Sequence, residues 1–101
     1  MRDVKASDLW TEAEFMQTVV DMAHAHRWLV YHVHDSRASA AGFPDLVAIR
    51  LSRVLFIETK AENGKLSREQ AVWLDGLRLT GKCEVYLWRP HDMEDIRRVL
   101  A

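Results

Sequence analysis

Between Glu12 and Ala25 the apolar positions recur at helical spacing. Phe15, Met16, Val19, Met22 and Ala23 share one face at about 100° per residue, Glu12 falls with them, and Glu14, Gln17 and Asp21 fall opposite. Thr11 is a suitable N-cap, and Glu14 three residues later completes a capping box. The period then changes. Trp28 to His34 (WLVYHVH) is β-branched and aromatic and predicts a strand, followed by a small-residue polar loop, Asp35 to Gly42. Leu46 to Arg50 and Val54 to Lys60 predict two more strands, close enough across Leu51 to Arg53 to form a hairpin. Asn63-Gly64 signals a turn. A second helix is expected from the cap Ser67 to Thr80-Gly81, with Gln70, Trp73, Leu74 and Leu77 on its apolar face. Cys83 to Trp88 predicts a fourth strand, and Asp92 is expected to cap a short last helix with Met93, Ile96, Val99 and Leu100 inward. The order is αβββαβα. Three consecutive strands and then a helical crossover imply an α/β fold with a mixed sheet flanked by helices.

A chain of 101 residues suits one domain, 1–101, with one modest core. Its 49% hydrophobic and 29% charged residues are ordinary for a soluble globular protein, so disorder is not expected. No apolar run is long enough to span a membrane, and the first ten residues lack the apolar stretch of a signal peptide. The single cysteine, Cys83, excludes an intrachain disulfide and argues against a cysteine-rich zinc site. A reducing, cytoplasmic setting is expected. The net charge of −1 is low for a protein that holds nucleic acid by charge alone. A bound divalent cation would change that balance locally.

The chemistry gathers in two segments, Gly42-Phe43-Pro44-Asp45 and Phe56-Ile57-Glu58-Thr59-Lys60. Residues i and i+2 of a strand share a face, so Glu58 and Lys60 project together, while Leu55, Ile57 and Thr59 project the other way. Hairpin pairing can bring Asp45 beside the end of that strand. Two carboxylates and a backbone carbonyl are hard oxygen ligands suited to Mg²⁺ or Mn²⁺. A lysine beside them can orient a water or stabilise developing negative charge. A bare Glu-x-Lys is usually a solvated charge pair. Here it ends the apolar strand VLFIETK, with twelve residues between the Pro-Asp and the Glu-x-Lys, and that order favours a site.

The GFPDL segment (Gly42 to Leu46), the Glu58-Thr59-Lys60 ending and LSREQAVWL (Leu66 to Leu74) together resemble the PD-(D/E)xK nucleases. Within them the chain resembles the VRR-NUC (virus-type replication-repair nuclease) domain, in its compact stand-alone form from phages and bacteria. The similarity runs from about Thr11 to Asp92 over a restriction-endonuclease-like core. It implies a Mg²⁺- or Mn²⁺-dependent DNA endonuclease acting on branched or junction DNA, Holliday junctions among them, as a homodimer in replication, recombination or repair. It also implies the roles. Asp45 and Glu58 hold metal with the Thr59 carbonyl, and Lys60 acts on the nucleophile or the transition state. A first-helix glutamate completes the site, with a water allowed in between. Glu12 and Glu14 compete for that place, and Glu12 is chosen because it lies on the inward face. Gln70 matches the family's helix glutamine, and it is equally a capping-box partner of Ser67; the two roles are compatible.

Other signals are weaker. His24 and His26 are two apart on a helix and are poorly placed to share a metal. His32 and His34 share a strand face but lack a third ligand for zinc. His34, Arg37, Lys65 and Arg68 are surface residues that could meet phosphate. Two alternatives stand beside the nuclease: a non-catalytic DNA-binding module on the same fold, and a protein-interaction domain. The intact Lys60 speaks against the first, and the near-neutral charge is compatible with the second.

Overall fold

A computed structural model describes residues 9–33 and 40–101. In chain order they form α1 (Glu12–Ala25), β1 (Leu29–His32), β2 (Leu46–Arg50), β3 (Arg53–Thr59), α2 (Arg68–Thr80), β4 (Glu84–Trp88) and α3 (Met93–Leu100). This is the αβββαβα order that the periodicity predicts. The sheet order is β1-β2-β3-β4. β1 to β3 form an antiparallel meander, and β4 returns parallel to β3 after α2 crosses over.

Both long helices start where their caps predict. The Thr11 and Ser67 hydroxyls each accept an N–H three residues on, and Glu14 and Gln70 accept the cap N–H groups in return. α2 ends on Gly81 at φ 65, the left-handed conformation that glycine adopts without strain.

The differences are at element ends. Trp28 is expected to open the first strand but lies ahead of it. Its N–H donates to the Ala23 carbonyl, closing α1 through Arg27 at φ 67, and the ring is buried. The indole N–H reaches the Leu100 carbonyl at 2.9 Å, and the ring takes the Arg50 and Arg53 guanidinium groups at 4.5 and 5.0 Å. Both arginines also donate to the last carbonyls of α3, which its helix leaves unpaired. His34, Arg37 and most of the predicted 35–42 loop lie outside the described residues. β3 starts at Arg53, paired with Arg50, and ends at Thr59 rather than Lys60; β4 starts at Glu84 rather than Cys83. Asp92 does not cap α3 with its side chain. Pro90–Asp92 form a 3-10 turn, and the Asp92 carboxylate accepts the Arg89 N–H instead.

Alternation along the strands divides the packing. Leu46, Ala48, Leu55 and Ile57 face Phe15, Val19 and Ala23 of α1 and Ile96 and Leu100 of α3, all buried. Phe56 points the other way, edge-on to Phe43, which is edge-on to Trp73 of α2. Glu58 shares the Phe56 face and therefore meets α2. That face is not fully covered over the outer two strands: Leu29, Tyr31 and Ile49 stay 68%, 66% and 41% exposed. Among the described residues no helix is long and apolar enough to cross a membrane.

Candidate active site

The site lies where β3 runs out. Asp45 immediately precedes β2, and the hairpin register pairs Leu46 with Ile57, which sets Asp45 opposite Glu58. The Asp45 N–H donates to Glu58 Oε1 at 3.2 Å. In return the Thr59 N–H and hydroxyl both donate to Asp45 Oδ2, at 3.0 and 2.9 Å. Pro44 is buried and fixes the backbone before Asp45.

Gly42 sits at φ +86, and its α-carbon lies against the start of α2. A Cβ there would come within 2.4 Å of the Glu69 carbonyl carbon and 2.6 Å of the Gln70 nitrogen, both backbone atoms. The loop carrying Asp45 is thus seated on the turn that carries Gln70. Gln70 spans the gap: its oxygen accepts the Ser67 N–H at 2.8 Å, and its Nε2 donates to Glu58 Oε2 at 2.8 Å. Gln70 thus caps α2 and contacts Glu58 at the same time.

Lys60 follows the last strand residue, and its N–H still donates to the Trp88 carbonyl. Its Nζ is 3.7 Å from Glu58 Oε2 and 4.0 Å from Glu12 Oε1. Glu12 on α1 and Gln70 on α2 belong to elements on opposite faces of the sheet, and they reach Lys60 and Glu58 respectively. Glu14 is engaged in the cap of α1, so Glu12 is the helix glutamate beside Lys60.

Glu58 is 1% exposed, and its carboxyl is pushed up to about 7. Burial is the largest cause, the adjacent Asp45 charge adds to it, and Lys60 opposes it. Its folded value lies above the ordinary 4.5, so the folded state binds this proton more tightly than the unfolded state. The stability that follows is complete below about 4.5 and is lost as pH rises to about 7. Across that window the metal-free protein is expected to lose up to about 3 kcal/mol, and Glu58→Gln to flatten the dependence. Thermal unfolding of both proteins in EDTA between pH 5 and 8 checks this; parallel curves would mean that Glu58 does not carry the shift.

Sequence reasoning missed the double hold of Thr59 on Asp45. A hydroxyl residue between Glu58 and Lys60 was its only local sign. Lys65 and Arg68 are exposed at the start of α2, and His24 and His26 are exposed at the end of α1. Among the described residues no three His, Cys, Asp or Glu side chains form a metal cluster by themselves.

A mixed sheet with helices on both faces, and an Asp–Glu–Lys group where its third strand ends, define a restriction-endonuclease-like α/β domain. The chain belongs to the VRR-NUC domain family, whose family model matches residues 5–89. Membership implies a nuclease domain with DNA as its binding partner. No curated protein and no solved structure matches the chain.

Proposed function

We propose that this domain is a Mg²⁺- or Mn²⁺-dependent DNA endonuclease with Asp45, Glu58 and Lys60 at its centre. The observation that carries this is the buried Glu58 carboxylate, which accepts the Asp45 backbone N–H, feels the Asp45 charge and lies 3.7 Å from a lysine that is itself largely buried. Two acids this close repel one another, and burial adds to the cost. A hard divalent cation relieves both, and oxygen donors suit it. Asp45 and Glu58 would hold it with the Thr59 carbonyl. Because two carboxylates leave most of the coordination to other oxygens, Glu12 would assist with a water allowed in between.

When bound, the cation supplies Lewis-acid polarisation of the phosphodiester and a more acidic water. The protein's own groups do the rest. Thr59 fixes the Asp45 carboxylate through two donors, and Gln70 with the Asp45 N–H fixes that of Glu58. Lys60 is held between Glu58 and Glu12, and its ammonium would stabilise the charge that develops on the phosphate or orient the attacking water. Mg²⁺ or Mn²⁺ is expected to raise the melting temperature of the wild type and to do so much less in Asp45→Ala. Equal shifts in the two proteins would remove the site.

Branched or junction DNA is the proposed substrate, in replication, recombination or repair within a cytoplasmic compartment. With a net charge of −1, one copy has little ionic hold on a plain duplex. A branch point offers arms to two copies at once, and linked contacts bind more tightly than single ones. The proposed homodimer is supported by β1, an edge strand among the described residues (LVYH) with no proline, carboxylate, lysine or arginine to blunt it. Beside it Leu29, Ile49 and Leu51 line an open groove of about 620 Å³ with His26, Arg27 and Arg50. Light scattering at micromolar concentration is expected to give the dimer mass, and Tyr31→Glu the monomer mass. A monomeric wild type would contradict this arrangement.

A further inference from the structure

We propose that Arg89 is a positioning residue for the site, a role that rests on the proposed nuclease reading of Asp45, Glu58 and Lys60. Its Nη1 donates to three carbonyls of one turn: Ala61 at 2.8 Å, Glu62 at 3.2 Å and Gly64 at 2.7 Å. Three carbonyl oxygens pointing at one spot repel unless a donor stands between them, and a charged donor makes the stronger bond. Arg89 thus holds the turn in its closed form, together with the Gly64 N–H to Ala61 carbonyl bond at 3.0 Å.

The position of that turn gives the contact its consequence. β3 ends at Thr59, and residues 61–69 link Lys60 to Gln70. These two side chains converge on the same oxygen, Glu58 Oε2, at 3.7 and 2.8 Å. Their relative placement depends on the link between them. The turn also lies along the lysine stem, with the Lys60 Cδ 3.6 Å from where a Gly64 Cβ would stand. Arg89 is well anchored for the task. It follows Trp88, whose carbonyl accepts the Lys60 N–H, and its own N–H is held by Asp92 at 2.8 Å. The next residue but one, His91, meets the Glu62 carboxylate and ties the outside of the same turn to the end of β4. The 3-10 turn at Pro90–Asp92 therefore sets the guanidinium, and the guanidinium sets the Lys60-to-Gln70 link.

The test compares wild type, Arg89→Ala and Arg89→Lys on one labelled four-way DNA with Mn²⁺, measuring kcat, KM and the salt dependence of KM. Amide hydrogen exchange of the metal-free proteins is the second readout. Arg89→Ala is expected to lower kcat by about 10- to 100-fold, the range of groups that orient a site's ligands. KM should stay within about twofold, because substrate binding is not what is lost. The Lys60 and Gly64 amides should exchange faster while α1 amides keep their protection. Arg89→Lys keeps the charge and should recover part of kcat; if Arg89→Ala does not fold, an intermediate kcat with unchanged KM in Arg89→Lys carries the same conclusion. An unchanged kcat in a folded Arg89→Ala would overturn the proposal. So would a raised KM with a shallower salt dependence, which marks a phosphate contact. A wild type that cuts nothing would instead defeat the nuclease reading, while exchange would still report whether Arg89 holds the turn.

Discussion

Replacing Lys60 with methionine is expected to lower DNA cleavage by about a thousandfold or more while the protein still folds and still takes up Mn²⁺. Methionine keeps much of the lysine stem and so the packing, but removes the ammonium. Two acids face that ammonium, Glu58 at 3.7 Å and Glu12 at 4.0 Å. Removing it leaves their charge uncompensated, which favours a divalent cation rather than opposing one. Uptake of metal and loss of cutting should therefore separate: the manganese-induced rise in melting temperature should persist or grow while the rate collapses. In Asp45→Ala both should be lost together. If Lys60→Met cut at near the wild-type rate, the lysine would be a structural counterion of Glu58 and not part of the chemistry.

Gly42→Ala is expected to be the most damaging alanine substitution among the four glycines, costing about 3–5 kcal/mol, at the high end for point substitutions. Two effects add. A side chain at φ +86 is strained wherever it stands. The new Cβ would also lie 2.4–2.6 Å from the backbone of Glu69 and Gln70, which have no flexible end to move aside. Relief requires the first turn of α2 to move away from the loop. That withdraws Gln70 from Glu58 and loosens Asp45 on the other side, so activity should fall even at temperatures where the variant is folded. Urea unfolding gives the first quantity and cleavage at low temperature the second. A variant with wild-type stability would mean that the loop does not rest on α2 as described.

What could be read from the sequence was what is local. Thr11 with Glu14 and Ser67 with Gln70 announce helix starts because capping contacts reach three residues. The grouping of Asp45, Glu58 and Lys60 followed from strand alternation and a short hairpin, both properties of neighbours. The two contacts of Gln70, to the Ser67 cap and to Glu58, were legible because an amide on an apolar helix face needs a partner. That Glu12 faces inward while Glu14 serves the cap was legible as a question of face and cap, and Glu12 lies beside Lys60. Contacts that join distant segments left no such trace. Nothing near Trp28 says that its indole closes the end of α3 at Leu100. Nothing near Arg89 says that it will gather three carbonyls from the turn after Lys60. Asp92 has the residue type of a cap, but Pro90 starts a tight turn ahead of it and takes its carboxylate for the Arg89 N–H. The close approach of Gly42 to Glu69 depends on where α2 comes to rest, which no neighbouring residue announces.

The most direct measurement is a gel assay of labelled four-way, flap and linear DNA with Mn²⁺, Mg²⁺ or EDTA, wild type beside Asp45→Asn. Cutting that needs the cation, favours the branched substrates and disappears in Asp45→Asn is the predicted result. Cutting that continues in EDTA, or is equal in the two proteins, or is absent from a folded wild type on every substrate, would contradict a metal-dependent nuclease centred on Asp45, Glu58 and Lys60.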